Sequence, residues 1–95
     1  MLTAMLAVVE ALAPALVLEL APVRVYAVTP ELIDTPRLHT ADGAERDTLV
    51  RNRAAMLPRK RVGTAEEVAQ VILMLMTNDD LTGAVVHVDG GGRFV

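Results

Sequence analysis

The chain has 95 residues, 53% of them apolar, and a formal net charge of −3 from nine basic and twelve acidic side chains. One small domain is the most that such a length builds, and a domain of this size buries only ~60–65% of its unfolded surface. The apolar content excludes disorder by composition, the acidic balance argues against a nucleic-acid binder, whose phosphate contacts need a basic surface, and the lack of Cys excludes a disulfide framework, a thiolate nucleophile and a Cys-based zinc site.

The N-terminal "MLTAMLAVVEALAPALVLELAP" reads as a helix over Leu2–Ala21, apolar nearly all round, with Glu10 and Glu19 its only charges. Those charges and Pro14 interrupt it, no basic segment precedes it, and no uncharged apolar run reaches the ~18 residues a membrane span needs. The expectation is a core or interface helix of a cytoplasmic protein, with Val17 at a subunit contact. Pro14 lacks the N–H that would bond the Glu10 carbonyl, so the helix either kinks there or starts afresh.

Pro22 stops the helix, and "VRVYAV", Val23–Val28, is short and β-branched, as in a parallel strand buried on both faces. Tyr26 on it is expected to pack. Thr29–Gly43, with Pro30, Asp34, Pro36 and Asp42, reads as an irregular loop, and Ala44–Met56 as a charged surface helix. "PRKR", Pro58–Arg61, reads as a solvated turn.

"TAEE", Thr64–Glu67, fits a capping box in which the Thr64 hydroxyl accepts from the Glu67 amide and the Glu67 carboxylate from the Thr64 amide. The helix it opens runs through "VAQVILMLMT", with Val68, Ile72, Leu75 and Met76 on one face. "NDDLTG" breaks it, with Asp79 and Asp80 solvating its end, before a last strand in "AVVHVDGG". His87 there is expected on the surface or at a subunit interface. "DGGG", Asp89–Gly92, reads as a turn that opens no helix and so offers no phosphate cradle. The two His, His39 and His87, are too far apart in sequence to suggest a metal site. Strand, helix, helix, strand gives an α/β chain with one right-handed crossover and two parallel strands.

The run "ALVLELAPVRVYAVTPELIDTP", then "RVGTAEEVAQVILMLMTN", then "LTGAVVHVDGG" resembles the C-terminal part of the short-chain dehydrogenase/reductase family, the nicotinamide-dependent Rossmann enzymes. The likeness covers about Ala11 to Gly92. It implies a single partial Rossmann domain over residues 1–95, with two parallel strands and flanking helices, and NAD(P)-dependent oxidoreduction of a carbonyl or alcohol as the family activity. In such enzymes the loop after this strand contacts the nicotinamide carboxamide, and Pro30, Ile33 and Thr35 stand at the contacting positions. Glu31 stands where Gly is usual, which implies a clash with a backbone shape that Gly allows, and Tyr26 stands where Asn is usual.

The same resemblance places the family's proton-transferring Tyr and Lys, one helical turn apart, at Leu2 and Leu6, and Met1–Leu18 holds neither residue type. No glycine-rich pyrophosphate turn between a strand and a helix occurs in the chain either. The resemblance therefore implies an NAD(P)-type protein without catalytic residues of its own, which does not bind the cofactor as an isolated chain. Two alternatives stand beside this: a noncatalytic module that forms a homo-oligomer or docks on an intact relative through its first helix or last strand, and an enzyme completed by a second polypeptide. Neither nucleic acid nor membrane is an expected partner.

Overall fold

The computed structural model describes residues 2–34 and 43–95. Among them are helices α1 (Leu2–Leu20), α2 (Gly43–Met56) and α3 (Ala65–Thr77), and short strands β1 (Ala27–Pro30), β2 (Ile33–Asp34), β3 (Gly63–Thr64) and β4 (Val85–Val88). A single 3-10 turn, Gly92–Phe94, follows the last strand. The strands form two small sheets, β1 with β4 and β2 with β3. In the first, the Ala27 amide donates to the Ala84 carbonyl and the Glu31 amide to the Val88 carbonyl; donor and acceptor numbers rise together, so the strands are parallel. The α/β class with a parallel pair and flanking helices is the one expected.

The chain divides into two compact units, Met1–Thr29 with Gln70–His87, and Pro30–Ala69 with Val88–Val95. In the first, α1 is continuous through Pro14, so no second helix starts there. Tertiary packing supports that stretch: Ala13 is buried, and Val17 is turned inward to Gly83, where its Cγ2 lies 3.0 Å from the place a Cβ would take. Val17 is therefore half-buried within the chain. Gly83 itself has φ +75°, a left-handed backbone that suits glycine. Most other apolar side chains of α1 are exposed in this chain, Val8 and Leu18 among them.

The first strand begins later than the β-branched run suggested. The Val23 amide donates back to the Leu20 carbonyl, so Val23 still belongs to the turn that ends α1. The Val25 amide goes to the Thr82 hydroxyl at 3.1 Å, and only from Ala27 does a regular ladder begin. Arg24, which drew no notice as a sequence feature, caps α3: its guanidinium donates to the carbonyls of Leu75 at 2.6 Å, Met76 at 2.8 Å and Asn78 at 3.0 Å. The Leu75 and Met76 carbonyls belong to the last turn of α3, which lacks helical partners and forms the negative end of the helix dipole, and Asn78 follows its last residue, Thr77. On α3, Leu75 is fully buried while Ile72 and Met76 are exposed, so the apolar face is narrower than expected.

The second unit departs most from the sequence reading. The expected structureless loop contains β2, whose Ile33 and Asp34 pair in parallel with Gly63 and Thr64. A two-residue strand is too short to show alternation, which is why no pattern marks it. The capping box is present, with the Glu67 amide 3.2 Å from the Thr64 hydroxyl and the Thr64 amide 3.0 Å from the Glu67 carboxylate. "PRKR" is an exposed turn, yet Lys60 donates to the Ala55 carbonyl at the end of α2, and Arg61 grips both oxygens of Glu67.

Candidate functional site

Residues Pro30, Glu31, Leu32 and Ile33, with Ala65 and Val68 from the start of α3, line an open groove of ≈ 430 Å³ in the second unit. Each comes into place for a local reason. Pro30 ends β1 and is exposed. Ile33 is fixed by its pairing with Gly63, and its Cδ1 comes within 2.9 Å of where a Gly63 Cβ would stand, so a larger residue there would push Ile33 away. The capping box sets where α3 begins, and with it the positions of Ala65 and Val68.

Two of the three residues singled out by sequence, Pro30 and Ile33, thus share one wall; Thr35 lies outside the described residues. Ala65 and Val68 were not anticipated, because only the β2–β3 register brings the start of α3 beside residues more than thirty positions earlier. Among the described residues the lining is apolar except for Glu31.

Glu31 does not clash. Lys60 is the only non-glycine residue with positive φ among the described residues, so the Glu31 backbone avoids the left-handed shape that favours glycine. Its carboxylate is held by Arg53 of α2, with Nε to Oε1 at 3.1 Å and Nη2 to Oε2 at 3.0 Å. Oε2 also lies 2.6 Å from the position of a Cβ on Gly92, so that glycine leaves the room the carboxylate occupies. No sequence signal marks a pair 22 residues apart.

The glycine-rich turn after β4 is filled by protein atoms. Gly91, at φ +87°, has the Pro58 ring 2.6 Å from its would-be Cβ, and the Asp89 carboxylate accepts from the amides of Gly91 and Arg93 and from the Arg93 guanidinium. Burial pushes the Asp89 carboxyl up, but these hydrogen bonds outweigh it and hold the group below its ordinary value. A turn already occupied by a carboxylate is the reverse of a phosphate cradle. One turn of 3-10 helix does follow it, which had not been anticipated.

Hydrogen bonds from Arg61, and then from the Thr64 amide, lower the Glu67 pKa to about 2. In the first unit, His87 is partly buried, its Nδ1 2.7 Å from the hydroxyl of buried Thr29 and 4.0 Å from Glu10, a more enclosed place than an open surface, one of the two positions expected for it beside a subunit interface. Asp79 is fully exposed and 4.0 Å from Arg24. Leu6 is exposed. Among the described residues no cluster of His, Cys, Asp or Glu is arranged to hold a metal ion, and no helix is long and apolar enough to cross a membrane.

A family described as enoyl-(acyl carrier protein) reductase matches residues 1–92. The short-chain dehydrogenase/reductase ucsE of Acremonium sp. is 33% identical over 90% of the chain, which spans 32% of that protein. The 3-oxoacyl-(acyl-carrier-protein) reductase FabG of Thermotoga maritima is 39% identical over 73% of the chain and 27% of its own length. Among solved structures, a small-chain dehydrogenase in complex with NADPH superposes with a TM-score of 0.83 at 35% identity, over 94% of this chain and 41% of that one. The chain spans about a third of the length of the curated relatives it matches.

Proposed function

We propose, since this chain belongs to the short-chain dehydrogenase/reductase family, that it supplies the nicotinamide-side wall of an NAD(P)-dependent oxidoreductase site and does not turn over a carbonyl or alcohol as an isolated 95-residue chain. The observation that carries this is the groove in which Pro30 and Ile33 share a wall with Leu32 and face Ala65 and Val68. An apolar slot of that kind fits the flat face of a nicotinamide ring, and these residues would hold it and exclude water from it. When bound there, the cofactor supplies a hydride.

The rest of the chain's chemistry supports the inactive half of the reading. Proton exchange with the substrate oxygen needs a titratable group in reach, and Met1–Leu18 offers neither Tyr nor Lys. The occupied turn at Asp89–Gly92 offers no place for a pyrophosphate. Calorimetry of the chain with NADPH tests this: no saturable binding is expected up to millimolar concentration, and no NADPH oxidation with a carbonyl panel. Turnover would overturn the reading.

A second reading, a noncatalytic module that self-associates or docks on an intact relative, is favoured by α1, where Val8 is 60% and Leu18 89% exposed. Contiguous apolar surface of this kind is uncommon on soluble monomers. Sedimentation should then show association that Leu18→Glu weakens more than Arg51→Glu does. A compact monomer at micromolar concentration would count against it.

A further inference from the structure

Within the second unit, the segment from Pro30 to Ile33 is fixed at two points of unequal strength. At Ile33 it is held by the two-residue ladder with β3, and so short a ladder is weak on its own. At Glu31 the backbone bond to Val88 is long, at 3.4 Å, whereas both carboxylate oxygens are engaged by Arg53 at 3.0–3.1 Å. The two side chains are 29% and 26% exposed, so solvent and salt screen them less than a fully exposed pair. Gly92 leaves the space that the carboxylate fills.

We propose that Glu31 and Arg53 form a positioning pair that sets where Ile33 stands in the groove, and that by neutralising the one charged residue among the described lining residues it fits the slot to an uncharged planar ring rather than a cation. This rests on reading the groove as a nicotinamide-side wall. Among the described residues lining the groove Glu31 is the only ionisable one, and an uncompensated carboxylate at an apolar wall would favour a cationic ligand through its field. The arrangement also accounts for Glu31 at a position where the family resemblance leads one to expect glycine.

The chain contains only two isoleucines, Ile33 and Ile72. Methyl-labelled isoleucine NMR therefore gives one signal in the groove and one reference on α3, in the first unit. In Arg53→Met the Ile33 methyl should shift and broaden while Ile72 stays in place, and amides at residues 31–33 should exchange roughly 2–5-fold faster, as for loss of a half-exposed ion pair. The charge-reversed double variant, Glu31→Arg with Arg53→Glu, should return the Ile33 signal toward its wild-type position. Raising salt on the wild-type chain should move that signal in the direction of Arg53→Met, a readout that needs no variant to fold. An Ile33 methyl indifferent to both Arg53→Met and salt, or a double variant that restores nothing while Ile72 is unchanged, would overturn the proposal. Titration with reduced nicotinamide mononucleotide, whose dihydropyridine ring is uncharged, on the order of tens of millimolar and so above the range in which the isolated chain is expected not to saturate, separates it from the reading beneath it. A pair-dependent Ile33 that never responds to the mononucleotide defeats the nicotinamide assignment and leaves the pair standing, whereas a ligand response identical in wild type and Arg53→Met defeats the pair.

Discussion

In Met1–Thr29 with Gln70–His87, apart from the Thr29–His87 and Val25–Thr82 hydrogen bonds, side chains that matter for order are apolar or serve a helix end: Ala13 and Leu75 are buried, Val17 meets Gly83, and Arg24 closes the last turn of α3. In Pro30–Ala69 with Val88–Val95, one leucine, Leu57, is fully buried, and α2 contributes no buried residue at all. Polar ties take over there: Glu31 with Arg53, Glu67 with Arg61 and Thr64, Asp89 with Arg93 and the amides of its own turn. Regular, apolar elements can be ordered by burial, which is insensitive to direction. A unit made of one exposed helix, turns and two-residue strands buries too little surface, so directional contacts must define it.

If that contrast is right, deleting each unit's buried leucine should be felt chiefly where it sits. Leu75→Ala and Leu57→Ala each empty a site that is 1% exposed, and such truncations cost about 2–5 kcal/mol. Amide exchange read by mass spectrometry should show Leu75→Ala releasing peptides of the first unit and Leu57→Ala those of the second. Equal loss across both units in both variants would dissolve the distinction.

The next effect belongs to the glycine turn. A Cβ at Gly91 would have to adopt φ +87° and sit 2.6 Å from the Pro58 ring, which cannot yield as a flexible side chain could. Left-handed strain of about 1–2 kcal/mol adds to an overpacking cost of about 1–3 kcal/mol. Gly91→Ala should therefore lower the urea midpoint clearly, whereas Gly43→Ala, with nothing within 4 Å, should be neutral or slightly stabilising.

Arg24 offers the converse test, a polar tie within the apolar unit. Arg24→Met should cost about 1 kcal/mol, the usual worth of satisfying a helix end with a cation, and should speed exchange at Leu75–Thr77. Arg24→Lys should recover part of it, since a single ammonium cannot reach three carbonyls with the spread of a planar fork.

Legibility in the sequence follows the same divide. Helices α1 and α3 and the parallel β1–β4 pair could be read because composition, a breaker and the capping box at Thr64–Glu67 are local signals. Boundaries slipped where backbone groups were taken elsewhere, as when the Val23 amide stayed with Leu20. Arg24 reaches partners 51 to 54 residues away, and nothing local in an isolated Arg on a β-branched run announces that. In the candidate site, Pro30 and Ile33 were legible through a family resemblance; the partners across the groove, Ala65 and Val68, depended on a ladder two residues long.

The smallest effect is an acid response of the second unit. Glu67 accepts from Arg61 and from the Thr64 amide, and its pKa falls from 4.5 to about 2. A carboxyl held below its unfolded value stabilises the fold as an anion. That contribution is complete above the unfolded pKa of 4.5 and drains away as pH falls toward about 2. Asp89 is lowered too, so its contribution is lost in the same direction. Because Glu67 is solvent-accessible, screening keeps its share modest and salt should shrink it further. Glu67→Gln removes the titration yet leaves a side chain able to accept from the Thr64 amide, as Gln does in other capping boxes. Protection of residues 61–69 should decline less between pH 6 and pH 3, on the order of the unfolded carboxylate range, in Glu67→Gln than in the wild-type chain. Matching declines in the two proteins would mean that the box holds α3 by hydrogen bonding alone, and that the ion pair with Arg61 adds nothing to the order of this unit.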